Sequence, residues 1–184
     1  MEKLPQSPLP KPESPNAKMT PREEMEEHVR TYSGKNFPPK LLIEPLRKGD
    51  VRQAIVIKDI YKVPDTILQS PEIQAHVEGV IRSSISLGRI SNAIKMKKAF
   101  PLSEDRLRGM QEAAEIRILL ILRVPADAEL ITQAIEIKNE FIYTNDGSRW
   151  RQIQTAAKQV MADLQQKGVS NLAITVKREF YLSD

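Results

Sequence analysis

The positions of the thirteen prolines constrain the fold of this 184-residue chain more than any other feature. Proline has a fixed φ and no backbone N–H, so it is tolerated in the first turn of a helix and interrupts helices and strands elsewhere. Pro21 and Pro71 each follow a Thr or Ser that can cap a helix, and both therefore predict helix starts. The other prolines predict irregular stretches or the ends of elements: Pro5, Pro8, Pro10, Pro12, Pro15, Pro38, Pro39, Pro45, Pro64, Pro101 and Pro125.

Residues 1–50 are predicted to form a flexible, proline-rich arm. The first part has few apolar side chains and cannot bury enough surface to offset the entropy of ordering, so a disordered, partly polyproline-II segment is expected. One short helix is expected near residues 20–32, because Thr20 and Glu23 have the spacing of a capping box. The arm is either a spacer or a docking peptide for a partner.

Four segments of the remaining chain are predicted as strands. Residues 53–63 and 171–182 alternate apolar and polar side chains with a period of two. Residues 115–124 are short and rich in β-branched side chains, although a continuing helix is the alternative there. Residues 130–144 alternate in part, and a helical stripe keeps a helix open for that segment: Leu130, Ala134, Ile137 and Phe141.

Helices are predicted over residues 71–83, from Ile90 to Lys98, from Ser103 onward, and over residues 148–167. The resulting order is strand, three helices, two strands, helix, strand. This order predicts an α+β fold, with a small antiparallel or mixed sheet of three to four strands packed by helices. Residues 51–184 are expected to form this single domain.

The side-chain inventory argues against an enzyme. The chain has no cysteine, which excludes disulfides, thiolate catalysis and thiolate zinc sites. His28 and His76 have no carboxylate at metal-ligand spacing; His28 is expected to pair with Glu24 on a helix surface, and His76 is expected to be solvated. No GxGxxG, Walker-type or GxSxG motif is present. We therefore expect no catalysis, no metal, no cofactor and no small-molecule substrate.

No targeting or membrane-spanning segment is expected. The N-terminus lacks the apolar stretch of a secretory signal, and the longest apolar run, Ile118 to Leu122, is far too short to span a bilayer. The expected location is cytoplasmic or intracellular.

The charge pattern predicts an acidic partner. The net charge is +4 with a pI near 9.3, and residues 79–103 contain no acidic side chain. The predicted partners are nucleic acid, nucleoprotein, an anionic membrane or another acidic protein surface. The candidate binding residues lie in this basic stretch or beside Trp150: Arg82, Arg89, Asn92, Lys95, Lys97, Lys98, Arg149 and Arg151.

The sequence leaves several interpretations of these residues open. The helices on either side of Gly88 have the rhythm of a helix-turn-helix unit, whose second helix would present Arg89, Asn92 and the lysines to a DNA groove. Alternatively, the basic face meets another acidic surface, or it is solvated and has no partner. Trp150 either stacks on a base, inserts at a membrane interface, or anchors its helix to the core.

Charge segregation suggests assembly. Residues 104–146 are net acidic, with Glu129, Glu136, Glu140 and Asp146 among their charges, so copies of the chain could pack head to tail. A proline-rich arm before a small sheet packed by helices is similar in organisation to small viral matrix and virion-assembly proteins, which implies a structural, virion-associated role. We therefore expect a non-enzymatic assembly or adaptor protein that self-associates and contacts an acidic partner. The alternative is a helix-turn-helix DNA-binding regulator built on residues 71–98.

Overall fold

The computed structural model describes residues 20–145 and 147–182, and within these ranges every regular element is a helix. A 3-10 turn at Gly34–Asn36 lies between the first two α-helices. The helices are α1 (Pro21–Tyr32), α2 (Lys40–Lys48), α3 (Val51–Ile60), α4 (Asp65–Leu68), α5 (Pro71–Ser86), α6 (Ile90–Ala99), α7 (Glu104–Leu122), α8 (Ala128–Phe141), α9 (Ser148–Gln166) and α10 (Ser170–Glu179). The predicted disorder of the first part of the arm concerns residues 1–19, which lie outside the described residues.

The predicted α+β fold is wrong, because the described residues contain no sheet. The four segments predicted as strands form α3, the second half of α7, α8 and α10. Helix and strand propensities differ by less than about 1 kcal/mol per residue. Burying one Leu, Ile or Val side chain contributes about 1.5–3 kcal/mol. The helical conformation prevails here because it places the apolar side chains of each segment on one buried face.

Helix α10 illustrates this competition. Ala173, Val176 and Phe180 follow one another at spacings of three and four, and all are buried. A strand would have placed Ile174 beside Val176 in the core, but Ile174 is 64% exposed. The alternation of apolar and polar side chains over residues 171–182 therefore does not identify which of these side chains are buried.

The helical alternatives considered for two segments are confirmed. Helix α7 continues through residues 115–122, and α8 covers most of residues 130–144. Asp127 caps α8 by accepting a hydrogen bond from the Leu130 N–H at 2.9 Å. The buried stripe of α8 consists of Ile131, Ala134, Ile137, Lys138 and Phe141.

Helix α2 lies in a segment that the prolines predicted to be irregular. Two prolines directly precede it, where they are tolerated, and Pro45 lies inside it. Leu42 and Leu46, one turn apart, are at most 2% exposed, and with Phe37 they belong to the same core as the later helices. The hydrophobic core therefore includes residues that precede Val51.

The packing of the helices determines which surfaces meet. Helix α7 packs against α5, α8 and α9, and α5 also packs against α2 and α6. Helix α3 packs against α2 and α6, whereas α10 packs mainly on α9. As a result, α2, α3, α5 and α6 form a connected group, and Arg47 and Lys48 at the end of α2 line one cleft with Arg89, directly before α6.

Five predicted helices are confirmed, including the one expected from Ser103 onward, which forms the first part of α7. Helix α1 has the capping box of Thr20 and Glu23, with Pro21 in its first turn. Helices α5 and α6 flank Gly88, and α9 buries the predicted stripe from Trp150 to Leu164. The similarity in organisation to viral matrix proteins depended on a sheet packed by helices, which the described residues do not contain.

Candidate functional site

Helices α5 and α6 form a helical pair that is joined by a tight turn. The turn, Leu87 to Arg89, is possible because Gly88 adopts the left-handed conformation with φ of +73°. The guanidinium of Arg117, from α7, lies against this turn, and its Nε is buried without a hydrogen-bond partner among the described residues. The turn fixes where α6 begins and so which of its side chains face outward.

The buried side of α6 decides which predicted binding residues remain accessible. Ile90, Ala93 and Met96 point into the core. The outward side therefore carries exposed Arg89, half-buried Asn92, and exposed Lys95 and Lys98. None of these four side chains has a hydrogen bond or ion pair to another described residue, so their polar groups are available to a partner.

Lys97 is turned toward α8 and does not belong to the same surface. Its Nζ contacts the backbone carbonyl of Glu140 and lies 3.2 Å from that residue's carboxylate. The ammonium also lies 5.2 Å from the Phe141 ring centroid and 5.6 Å from that of Tyr143. These contacts give Lys97 a structural role, joining α6 to α8.

Arg82 is likewise engaged within the molecule. Its Nε lies 2.9 Å from a carboxylate oxygen of Glu78, and the other oxygen of Glu78 accepts from Arg106 at 2.7 Å. This cluster ties α5 to α7. The positive charge of Arg82 is therefore partly neutralised before any partner arrives.

The structure places a cleft of about 390 Å³ beside the α5–α6 turn. Arg47, Lys48, His76 and Arg89 contribute nitrogen donors to it, and no Asp or Glu is among the residues that line it. The remaining lining residues are small or apolar, together with two hydroxyls: Leu46, Gly49, Ala75, Gly79, Val80, Ser83, Ser84 and Leu87.

A second cleft, of about 510 Å³, shares Gly49 with the first and lies between α3 and α6. Val51, Ile55 and Val56 make its walls apolar, while Arg52 and Lys95 contribute the positive charges. Asp50 also lines it, but its carboxylate caps α3 by accepting from the Gln53 N–H at 2.9 Å. We call the cations of the two clefts, together with Asn92, the basic face: Arg47, Lys48, Arg52, Arg89, Asn92 and Lys95.

Full side-chain charges set the sign of the first cleft. The C-termini of α2 and α5 each place about half a negative charge there, and the N-terminus of α6 places about half a positive charge. Arg47 and Arg89 add full positive charges with no described carboxylate within 4 Å, although the charge of Arg47, after the hydrogen bond and the charge of Lys48, contributes to lowering the pKa of exposed Glu44. Lys48 lies 2.7 Å from Glu44, but both side chains are more than half exposed, so water screens this pair.

Arg47, Lys48 and Arg52 were not predicted as binding residues. The sequence KGD at 48–50 does contain a signal, because Gly favours the end of one helix and Asp the start of the next. Two successive helices around Gly49 bring Arg47 and Arg52 near one another. Only tertiary packing adds α6 to them.

Arg149 and Arg151 lie at the start of α9, an element that shares no lining residue with the basic face. Arg149 donates to Glu115 at 3.2 Å and to Glu112 at 3.1 Å. The hydrogen bond to Glu115 is the main reason that the pKa of Arg149 is raised; burial opposes it and Glu112 adds to it. Arg151 is exposed and lines a groove with Arg123, between α7 and α9.

Trp150 serves as a core anchor. Its side chain is only 3% exposed, and its ring centroid lies 6.2 Å from that of Phe180 and 6.4 Å from that of Tyr181. Among the three interpretations of Trp150, the structure supports the one in which it holds α9 to the core.

The two histidines differ from their expected surroundings. Nδ1 of His28 lies 2.8 Å from the Tyr61 hydroxyl, and its ring packs beside Tyr32 and Tyr61. His76 is half-buried in the first cleft. Within residues 20–145 and 147–182, no group of three His, Asp or Glu side chains is placed to hold a metal ion.

Acidic residues line a separate groove that shares no lining residue with the two basic clefts. Glu129 and Glu136 of α8 face the α5–α6 turn there, in a groove of about 330 Å³. Glu140 is engaged by Lys97, and Asp146 lies outside the described residues. Glu129 and Glu136 thus line a different groove from the side chains of the basic face.

The search for helices that could cross a membrane finds none in the part of the chain that the structure describes. No family model matches the chain, and no curated protein or solved structure is significantly similar to it.

Proposed function

We propose that this protein is a non-enzymatic assembly or adaptor protein that binds the phosphate backbone of a nucleic acid on its basic face. The observation that carries the proposal is the first cleft, where Arg47, Lys48 and Arg89 converge and no carboxylate is among the lining residues. About half of the described cations have a carboxylate partner within 4 Å, and Arg47, Arg52, Arg89 and Lys95 have none; these four differ from the other unpaired cations in lining two adjoining clefts. Unpaired cations at close spacing attract phosphate and release counterions on binding.

The concave shape favours a nucleic-acid strand over a lipid surface. The cationic groups line clefts between helices, which a narrow sugar-phosphate backbone can enter. A flat bilayer would contact only the rims. The hydroxyl of Ser83 and the amide of Asn92 add neutral donors of the kind that position phosphate and sugar groups.

The test is fluorescence anisotropy with labelled mixed-sequence oligonucleotides, single-stranded and duplex, from about 50 to about 200 mM salt. We expect binding that weakens with salt. Arg47→Ala and Arg89→Ala should each lower the slope of log K against log salt, by about 0.7 on single strands or about 0.9 on duplex per lost phosphate contact. Lys158→Ala, at an exposed lysine of α9, is the matched control and should leave the slope unchanged.

Lys97→Ala is the informative second control. Because Lys97 is held by Glu140, its loss should reduce stability and leave nucleic-acid affinity unchanged at temperatures where the variant is folded. Wild-type protein that binds no oligonucleotide, or that loses equal affinity in Arg89→Ala and Lys158→Ala, would contradict the proposal. Preference for anionic vesicles over oligonucleotides would replace nucleic acid by a membrane as the partner.

A sequence-specific DNA-binding regulator is the second candidate. It is favoured by the α5–α6 turn at Gly88, after which Arg89 and Asn92 face outward at the start of α6. Arg and Asn are side chains that read base edges in the major groove. Selection from a random duplex pool distinguishes the two functions: a single enriched sequence, lost in Asn92→Ala, indicates the regulator, and no enrichment indicates backbone binding.

A further inference from the structure

Helix α1 is the least engaged helix of the described chain. None of its 12 residues is buried. Its C-terminal half is held by the contact between His28 and Tyr61, and its N-terminal half carries Met25 with 65% of its surface exposed. A helix of this length is marginal in water without packing, so contact with a further surface would stabilise it.

The exposed part of α1 is both acidic and apolar. Met25, Val29 and Tyr32 follow at spacings of four and three and therefore share one side of the helix. Glu24 and Glu26, directly before and after Met25, flank that side. Glu26 also lies 2.8 Å from Arg22, but both side chains are more than half exposed, so water screens this pair. Four glutamates against two arginines give the segment from Pro21 to Tyr32 a net negative charge.

The second cleft of the basic face has the complementary features. Its walls are the apolar side chains of Val51, Ile55 and Val56, and Val56 is 44% exposed. Arg52 and Lys95 line the same cleft without described carboxylate partners. An exposed apolar cleft with positive charges fits a helix that presents one apolar side chain between carboxylates.

We propose that α1 of one molecule docks on the basic face of a second copy of this chain. Met25 enters the cleft between α3 and α6, and Glu24 and Glu26 pair with Arg52 and Lys95. The two surfaces differ, so the contact is heterologous and generates rings or chains of molecules. Docking of α1 does not require nucleic-acid binding. Because the docked helix and a nucleic acid would both occupy the basic face, self-association and nucleic-acid binding should compete.

The test is a charge exchange followed by sedimentation velocity over a range of concentrations. One variant carries Glu24→Lys and Glu26→Lys, and the other carries Arg52→Glu and Lys95→Glu. We expect the wild type to associate in a concentration-dependent manner that weakens with salt, and each variant alone to remain monomeric. An equimolar mixture should associate again, because each reversed surface then meets an oppositely charged partner.

Two controls make the result decisive. Lys158→Glu reverses an exposed charge outside both surfaces and should associate like the wild type. The α1 substitutions remove no buried side chain, but they break the exposed pair of Glu26 with Arg22 and remove an acidic residue from the first turn, so circular dichroism must show that the helix content is retained. A wild type that is monomeric at every concentration, variants that still associate alone, or a mixture that stays monomeric would each overturn the inference.

The outcome can be separated from that of the proposed function. The Glu24→Lys and Glu26→Lys variant keeps an intact basic face, so it should bind oligonucleotides at least as tightly as the wild type. Association without oligonucleotide binding would support the inference and refute the proposed function. Oligonucleotide binding by a protein that never self-associates would support the proposed function and refute the inference.

Discussion

At the residue scale, Gly88 is the position with the least tolerance for substitution in the site. Its φ of +73° lies in the left-handed region, which costs a residue with a Cβ about 1–2 kcal/mol. A Cβ there would also lie 2.5 Å from an Nη of Arg117. The guanidinium is the flexible end of a side chain and can move, so the backbone conformation should dominate the cost.

We therefore expect Gly88→Ala to lower the free energy of unfolding by about 1–2 kcal/mol in urea titrations. Gly79→Ala is the matched control, because Gly79 lies inside α5 and a Cβ there meets no atom within 4 Å. That change should raise stability by about 0.5–1 kcal/mol. Equal effects of the two substitutions would show that the left-handed turn is not present.

A second residue-scale feature is the carboxylate of Glu179, which joins α10 to α8. Its side chain is 18% exposed and lies 3.3 Å from Nζ of Lys138, itself 10% exposed. Burial by itself raises the pKa of Glu179, but hydrogen bonds from Arg178 and Lys138, with their positive charges, outweigh it and lower the pKa below its ordinary value of 4.5. Because the pKa of Glu179 is lower in the folded than in the unfolded protein, its ionised carboxylate stabilises the fold at pH values above the unfolded pKa. This stabilisation is lost as the pH falls through the pKa of the folded state.

Glu179→Gln should accordingly cost about 1–3 kcal/mol at pH 7, since it removes a charged partner of a buried lysine. The difference from wild type should shrink as the pH falls below the ordinary Glu pKa of 4.5. Urea unfolding across this pH range measures both effects. Arg178→Gln, at a side chain 72% exposed, should cost much less, and a difference for Glu179→Gln that is independent of pH would contradict the role assigned to its carboxylate.

At the element scale, the competition between helix and strand is decided by which apolar residues each conformation buries. In α7, Ile118 and Leu122 are buried, whereas Ile116 and Leu120 are 46% and 53% exposed. The apolar run from Ile118 to Leu122 has no polar residue that would reveal a helical or a strand periodicity. The run is therefore compatible with a buried strand and with a helix that is apolar on several sides. The helix is favoured because it joins the run to Met110 and Ala114 on one face.

Helix α10 offers a direct test of its conformation. In a strand, Ile174 and Val176 would share a face and respond alike to substitution. In the helix, Val176 is fully buried and Ile174 is 64% exposed. We expect Val176→Asn to destabilise the protein by at least about 2 kcal/mol and Ile174→Asn to change stability by less than about 0.5 kcal/mol, measured by thermal and urea unfolding. Similar losses in both variants would favour the strand.

At the scale of the whole molecule, residues before Val51 contribute to the same core as the helices that follow. Phe37, Leu42 and Leu46 are each at most 3% exposed. At about 1.5–3 kcal/mol per buried apolar side chain, these three represent a large part of the 5–15 kcal/mol that typically separates folded from unfolded domains. They also position α2, which supplies Arg47 and Lys48 to the basic face.

Two truncations measure this contribution. A chain that begins at residue 20 retains every core residue that the structure describes and should unfold at the wild-type temperature. A chain that begins at residue 51, where the sequence predicts the domain to start, should lose most of its stability because the α2 site on α5 is left empty. Unchanged cooperative unfolding of the shorter chain would support the predicted boundary and show that α2 is dispensable.

Some properties of this protein follow from the sequence alone because they depend on neighbouring residues. The capping box of Thr20, the turn at Gly88 and the stripe of α9 are local, and the sequence predicts each of them correctly. The basic character of α6 is equally local. Propensity differences are too small to decide between helix and strand where an apolar segment fits both. In those segments, burial of apolar side chains in the core determined the conformation.

Only the tertiary structure decided which charges remain available. Lys97 and Arg149 pair with carboxylates 34 to 43 positions away in sequence, whereas Arg89 and Lys95 are joined by Arg47 and Arg52 from other helices. Composition specifies how many charges a chain carries. Which of them pair and which converge depends on how helices pack, because Coulomb interactions are governed by distance in space and not by separation along the chain.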